Sequence, residues 1–548
     1  MHFKYMLLDL DDTLYDYDYC HKIALDGLID KLNTSTDIYE QVNKKLKYEL
    51  YDTASSHSIY IYIKHILEHL NMDLTHIAEL YSTYWTIFYI NMSCREGVIS
   101  FIQWIKSQNI KIAIVTDYTC EHQIKKLKIL QLLQYIDHVI TSEEVGIEKP
   151  SKQMFLSALH ALDAKYTDVI MIGDNYEKDI RGAQAVGILG YWFNKNIEKS
   201  TISNNEFNNF NQLHTHFKEI QNELIKLEHM SKYCGERFDL TQAGGGNTSI
   251  KHKDLMYIKA SGYQLSQVST TSGYVVIKND ILKKDIKINN VKPVTQYNFI
   301  GKERGSIETY MHSILKKYTI HLHPIQANKI LVGTKCKEYI QKLFIKDYMI
   351  IDYDTPGINV CNKIKDSYNN ENIIFMINHG IIITTDIYED ILPTLETVLN
   401  KFDNEYDKYK YVNVLSNIIN TPNNYENVCY LCEDMIINNY LMNKKELFTK
   451  GIIMPDILIY CGIKILFMKT ESCIYDYVSK YNESPKVVVV NNLIYIINVS
   501  LSKCRDTESV LKSNMMILDT VKEASSYLSN DEICYLNNWD AEKYRKTL

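Results

Sequence analysis

The apolar run Tyr5-Met6-Leu7-Leu8 stops at Asp9, and two more apolar runs, over residues 110–116 and 169–174, stop at Thr116 and Asp174 after intervening helical patterns. A run without polar alternation reads as a strand buried on both faces, and such strands separated by helices pair in parallel. The chain is therefore read as α/β, with polar side chains gathered at one edge of a covered sheet. From about residue 16 to 89 the pattern is helical (Ile23, Leu25, Leu28, Ile29 and Leu32, then Ile59, Ile63, Ile66, Leu67 and Leu70), which makes this block an insertion after the first strand. An Asn-rich stretch over 204–211 marks the expected end of this first domain.

A second α/β-like unit begins near Met230, with short strands expected at 255–259, 319–323 and 373–377 and a helical run over 387–411. Near the end, 486–490 and 493–499 read as strands of a hairpin joined by Asn491-Asn492, residues that tolerate the positive φ of such a turn. A chain of 548 residues is too long for one core and implies two or three domains.

Composition excludes several classes. The net charge of −7 gives no basic surplus for nucleic acid or an anionic membrane surface. Only 20 glycines and 8 prolines rule out a collagen-like repeat. The first residues, Met1-His2-Phe3-Lys4-Tyr5, lack the apolar core of a signal peptide. The most apolar later stretch, 451–468, is broken by Pro455, Asp456 and Lys464, so no transmembrane helix is expected. Twelve scattered cysteines then fit reduced thiols and a cytoplasmic location. Cys429 and Cys432, the one CxxC, read as core residues because no second pair stands at metal spacing.

Asp9-Leu10-Asp11-Asp12-Thr13 sits where a buried strand meets a loop. Two carboxylates at i and i+2 there can share the crevice at the carboxyl edge of an α/β sheet, one attacking an electrophile while the other handles a leaving-group proton. Thr116, Lys149 in Glu148-Lys149-Pro150, and Asp174 and Asp179 around Gly173-Asp174-Asn175 follow in order. Acid, hydroxyl, base and acid suit a phosphate with a divalent cation. This order resembles the haloacid dehalogenase superfamily over residues 1–198. The resemblance implies a Rossmann-like phosphatase domain with a helical cap at about 16–95 and Asp9 as the nucleophile that forms an aspartyl-phosphate. It makes Asp11 the general acid/base and Thr116 and Lys149 the phosphate-binding groups. Mg²⁺ would be held by Asp9, the Asp11 backbone and Asp174, with Asp179 in support. Asp117 departs from the asparagine that often follows the motif threonine.

His321-Leu322-His323-Pro324 ends a β-rich segment, and i, i+2 on a strand share a face. His379 follows another apolar run, and three histidines with an open fourth position describe a catalytic zinc site. His214-Thr215-His216 has the same spacing but lies in a polar region and is read as surface. Around the histidines stand the turn Gly244-Gly245-Gly246-Asn247, the turn Lys259-Ala260-Ser261-Gly262, and Ser306-Ile307-Glu308 opening a helix. His312, on the same helical face as Glu308, reads as a packing or supporting residue rather than a ligand. Together these residues resemble the class II aldolase/adducin superfamily over about 228–440, with 199–227 as a linker and 441–548 as a small α/β C-terminal extension. The resemblance implies Zn²⁺ on His321, His323 and His379, Glu308 as acid/base, and phosphate near Asn247, Ser261, Gly262 and Ser306.

The histidine flanks, and the ending Asn538-Trp539-Asp540-Ala541-Glu542-Lys543-Tyr544-Arg545, look most like the aldolase half of rhamnulose-phosphate aldolase/dehydrogenase proteins, with no dehydrogenase half expected here. Ile307 and Gly305 stand where short sugar-phosphate aldolases often have serine and proline. The expectation is a bifunctional Mg²⁺ phosphatase and Zn²⁺ aldolase for small phosphorylated sugars, with no nucleic-acid or membrane partner and a homo-oligomer formed through the aldolase domain. Two alternatives are a methionine-salvage methylthioribulose-phosphate dehydratase/enolase-phosphatase fusion and an adducin-like module without catalysis.

Overall fold

The computed structural model describes residues 3–49, 58–196, 205–299, 303–402, 408–420, 426–521 and 527–538. They fall into two compact units, residues 1–221 and 222–548. The closing segment 539–548, part of the sequence ending noted above, lies outside the described residues.

The first unit is built on six parallel strands: β1 (Tyr5–Leu8), β2 (Lys111–Thr116), β3 (His138–Thr141), β4 (Val169–Gly173), β5 (Leu189–Phe193) and β6 (Glu206–Phe207), in the order β3-β2-β1-β4-β5-β6. Leu8 pairs with Ile114 on one side and Ile172 on the other, so Asp9, Thr116 and Asp174 emerge together at the carboxyl edge. The insertion after β1 is helical as expected, over Tyr17–Leu32, Thr36–Glu49, Ile59–His69 and Ile77–Ile90. Asp16 caps the first helix by accepting from the Tyr19 amide, and Asn33 in the left-handed conformation ends it.

The unit runs past the boundary at 198 read from the sequence. β6 lies inside the Asn-rich stretch, and Phe207, Phe210 and Phe217 are buried against Phe193, Phe101 and Phe3. The surface reading of His214-Thr215-His216 is corrected here. His214 lies against Trp104 and Phe101, and His216 is buried beside Phe217 and Tyr191, because this polar-looking stretch is one helix whose inner face covers the aromatic core.

In the second unit, seven strands form one sheet: β7 (Asn247–His252), β8 (Leu255–Lys259), β9 (Tyr274–Lys278), β10 (Tyr318–Leu322), β11 (Tyr348–Ile351), β12 (Ile373–Met376) and β13 (Gly380–Thr385). Their order is β11-β12-β13-β10-β7-β8-β9, and only β11 and β12 run parallel. Tight turns explain two of the five antiparallel pairs: Lys253 (φ 52°) lies between β7 and β8, and Asn378 (φ 56°) between β12 and β13. The helical run expected over 387–411 is described as two helices, Tyr388–Asn400 and Lys410–Ile419.

A second sheet in this unit holds β14 (Val428–Leu431), β15 (Leu466–Phe467), β16 (Val487–Val490) and β17 (Leu493–Asn498) in the order β14-β17-β16-β15, so it starts ahead of the 441 boundary. The expected hairpin is β16–β17, with Asn491 and Asn492 both at positive φ. Alternation buries Val487 and Val489 in one apolar cluster and Val488 and Val490 in another. Cys429 and Cys432 also divide between these two clusters, as core residues do. No described helix is long and apolar enough to cross a membrane.

Candidate active sites

At the carboxyl edge of the first sheet, Lys149 Nζ lies 2.5 Å from Asp9 Oδ1 and 2.7 Å from Asp179 Oδ1, with all three side chains buried. Burial opposes its charge, but Asp179, Asp9 and Asp117 overcome this and hold Lys149 well above the usual lysine range. Thr13, four residues beyond Asp9 in the turn that follows β1, donates to Asp9 Oδ2 at 2.8 Å and accepts from the Asp174 amide at 3.0 Å. Carboxylate oxygens of Asp9, Asp174 and Asp179 lie within 4.8 Å of one another. Burial, followed by the charges of Asp179 and Asp12, pushes the Asp174 carboxyl up to about 6. A group of crowded, desolvated acids is the oxygen donor set that Mg²⁺ takes, so these residues fit that ion. Gly173 is required beside them, since a Cβ there would overlap the Asp179 carboxylate.

Asp11 is bound on a different side. Lys126 Nζ reaches both its oxygens, at 2.7 and 3.0 Å, Gln123 donates to Oδ2 at 2.9 Å, and the Tyr15 hydroxyl donates to Oδ1. Burial raises the Asp11 carboxyl, but Lys126, Tyr15 and Gln123 outweigh it and lower it from the ordinary value. Gln123 also donates to Thr116 Oγ1 at 2.5 Å, which ties the hydroxyl at the end of β2 to the same group. Asp117 accepts from the Lys149 amide at 2.9 Å and from Lys178 Nζ at 2.8 Å, so its extra charge has a partner. Every residue named from the sequence here (Asp9, Asp11, Thr116, Lys149, Asp174 and Asp179) is in this crevice. Thr13, Tyr15, Gln123, Lys126 and Lys178 were missed. The spacing held a signal: Gln123 and Lys126 share one face of the helix Cys120–Ile129 that follows Thr116.

In the second unit, the order β13-β10-β7 brings the other constellation together. His379 sits in the β12–β13 turn, His321 pairs with Ile382 of β13 and with Asn247 of β7, and His323 follows the end of β10. Glu308 immediately precedes the helix Thr309–Ile314. Its Oε1 lies 3.2 Å from His321 Nε2 and 3.1 Å from His379 Nε2, while the Asn247 amide donates to Oε2. His323 Nε2 is 3.1 Å from His321 Nε2, and the His321 Nδ1 contact to Ile381 O, 3.0 Å, turns its Nε2 inward. Ligand atoms of Glu308, His321, His323 and His379 all lie within 4.8 Å of one another. Three imidazoles and a carboxylate make a donor set that fits zinc. Burial raises the Glu308 carboxyl, yet His321 and His379 hold it well below the usual range. Burial, then the charge of His321, pushes His323 down to about 4, which keeps its ring neutral as a ligand must be.

The proposed phosphate contacts divide. Asn247 is buried and engaged with Glu308, at the histidines rather than at an anion cradle. Ser261, Gly262 and Ser306 lie at one edge, where Ala260 bridges to Gly305 and the Ser261 amide donates to Arg304 O at 2.8 Å. Gly262 is at φ 89° with open space where a Cβ would stand. Lys259, not singled out before, is buried and donates to Tyr263 O at 2.7 Å. His312 contacts Ser249 Oγ at 2.7 Å and is outside the group of four, as a supporting residue is.

Comparison with known proteins adds two families. The family model for haloacid dehalogenase-like hydrolases matches residues 3–187, and that for the Class II Aldolase and Adducin N-terminal domain matches residues 228–398. The ribulose-1,5-bisphosphate 5-phosphatase of Halopiger xanaduensis is 33% identical over 204 residues, 35% of this chain and 85% of the relative. The glyceraldehyde 3-phosphate phosphatase of Methanopyrus kandleri is 26% identical over 193 residues, 34% of this chain and 82% of the relative. The N-terminal class II aldolase domain of a conserved protein from Thermoplasma acidophilum aligns in structure over 32% of this chain and 90% of its own, with 20% identity and a TM-score of 0.30.

Proposed function

Because the chain belongs to the haloacid dehalogenase-like hydrolases over residues 3–187 and carries a class II aldolase and adducin domain over 228–398, we propose that it is a bifunctional enzyme, a Mg²⁺-dependent phosphatase joined to a Zn²⁺-dependent aldolase for small phosphorylated sugars. The observation that carries this reading is the presence of two separate, chemically different constellations, three aspartates with a lysine in one unit and three histidines with a glutamate in the other. Two relatives of the first unit act, by their names, on small phosphorylated sugars, one of them a bisphosphate.

In the phosphatase site, Asp9 attacks phosphorus, the ester P–O bond breaks, and Asp11 in its protonated form, the minor one beside Lys126, gives its proton to the departing oxygen. Water then attacks the aspartyl-phosphate, Asp11 takes the proton back, and inorganic phosphate leaves with Asp9 restored. Lys149 and Thr116 hold the phosphoryl oxygens. Mg²⁺ on Asp9, the Asp11 backbone and Asp174, supported by Asp179, supplies charge neutralisation at those oxygens.

In the aldolase site, Glu308 moves the proton that accompanies C–C cleavage, with Asn247 fixing one of its oxygens. Zinc on His321, His323 and His379 supplies Lewis-acid polarisation of the substrate carbonyl and hydroxyl. Ser261, Gly262 and Ser306 bind the phosphate of the ketose. The convergence of Glu308 on two histidines supports catalysis over an adducin-like role. Twelve free cysteines support a cytoplasmic location, and the aldolase family supports a homo-oligomer.

Chelation followed by addition of one metal at a time tests this. With ketose 1-phosphates as substrates, Mg²⁺ restores only release of inorganic phosphate and Zn²⁺ restores only C–C cleavage. Restoration of cleavage by Mg²⁺ alone contradicts the histidine site.

A further inference from the structure

Building on the phosphatase reading, we infer that the first site selects phosphate monoesters with a small, uncharged alcohol portion and rejects bisphosphates and esters that carry a carboxylate. The crevice that holds Asp9 encloses about 210 Å³, below the roughly 300–1,000 Å³ of pockets for drug-sized ligands. Beyond the reacting groups and the charged Asp117, Lys126 and Lys178, its wall is Asn175, Tyr17, Ile59, Trp85 and Tyr118. Ring faces and an aliphatic side chain suit the C–H faces of a sugar, and none of these side chains carries a charge to offset one on the substrate.

The cations of this crevice are already committed. Lys149, between Asp9 and Asp179, is the lysine that the phosphoryl group under attack takes up, and Lys178 pairs with Asp117 at 2.8 Å and Glu148 at 3.2 Å. Lys126 pairs with Asp11, and its remaining surroundings are aromatic, with the ring centroids of Tyr17, Trp85, Tyr118, Phe88 and Tyr15 between 5.4 and 6.0 Å from Nζ. Arg95 and Lys195, the next cations around Asp12, are bound to Asp12, Asp16 and Asp18. Five aspartates and three lysines line the crevice, an acid excess that suits one divalent cation. The phosphoryl group under attack takes up that cation and Lys149. A second phosphate or a carboxylate on the alcohol portion would then lie, desolvated, among aromatic rings and aspartates with no cation of its own among the described residues, which is discrimination by repulsion.

The test compares kcat/KM for a pentose 5-phosphate with its 1,5-bisphosphate, and for glyceraldehyde 3-phosphate with 3-phosphoglycerate, which differs by a carboxylate. The same pairs are titrated calorimetrically into Asp9→Asn, which binds without turnover. The uncharged member of each pair is expected to be favoured at least about 100-fold in kcat/KM, with the same order in binding. Ile59→Lys, which places a cation on the wall, is expected to narrow the gap about tenfold or more. A charged member that reacts and binds within tenfold of its partner overturns the inference and leaves the phosphatase reading standing. Hydrolysis of p-nitrophenyl phosphate that survives Asp9→Asn overturns the phosphatase reading, and the inference with it.

Discussion

Lys126 Nζ stands 2.7 Å from Asp11 Oδ1, and the lysine side chain is only 1% exposed. The helix that carries this lysine therefore fixes where the Asp11 carboxyl points. Lys126→Met leaves the carboxylate half-buried with Tyr15 and Gln123 only, which misplaces the acid and costs about 1–3 kcal/mol of stability. Turnover of alkyl phosphates, whose leaving oxygen needs a proton, is expected to fall about 10- to 100-fold. Turnover of p-nitrophenyl phosphate, which leaves as a stable anion, should fall much less. An equal fall on both substrates would assign Lys126 to folding alone.

The proposed function makes Glu308 the base and the three histidines the ligands. Glu308→Gln keeps the shape that meets Asn247 and leaves three imidazoles, so zinc per chain should stay near one while C–C cleavage drops about 10²–10⁴-fold. His379→Ala should lose zinc and cleavage together. Metal content measured beside the cleavage rate distinguishes the two, and loss of zinc from the glutamine variant would make Glu308 a ligand.

Much of both sites was legible in the sequence because their residues hang from strand ends. Asp9, Thr116 and Asp174 each close an apolar run, and parallel pairing in register brings such ends together without further information. His321 and His323 were legible from the period of a strand, and His379 from the run before it. Lys126 and Gln123 were not, because whether one face of a helix meets Asp11 depends on how it packs over the sheet. The antiparallel sheet of the second unit was not legible either. Two of its pairings depend on turns at Lys253, which carries no turn signature, and at Asn378, a single asparagine between apolar runs, and its order also needs the long-range pairings of β10 with β13 and β7. His214 and His216 were misread because local polarity does not report the aromatic core beneath that helix.

Glu236 provides a pH test away from both sites. It is buried, accepts from Ser416 Oγ at 3.2 Å, and burial pushes its carboxyl up to about 8 despite Ser416 and Lys232. Below its unfolded value of 4.5 the group is protonated in both states and costs nothing. As pH rises from 4.5 towards 8, the unfolded chain releases this proton and the folded chain keeps it, so stability falls across that window. Glu236→Gln should therefore raise stability by about 1–3 kcal/mol at pH 8, with the gain vanishing near pH 4.5. Urea unfolding at a series of pH values reads this directly, and a gain independent of pH would remove the assignment.

The central claim is that one chain holds two independent active sites. The most direct measurement follows inorganic phosphate release and C–C cleavage in parallel for the unaltered protein, Asp9→Asn and His379→Ala, each checked for intact folding. An amide at position 9 cannot attack phosphorus, so Asp9→Asn should abolish phosphate release and leave cleavage within about twofold. His379→Ala should abolish cleavage and leave phosphate release unchanged. If either substitution removed both activities in a folded protein, the two-site account would be contradicted.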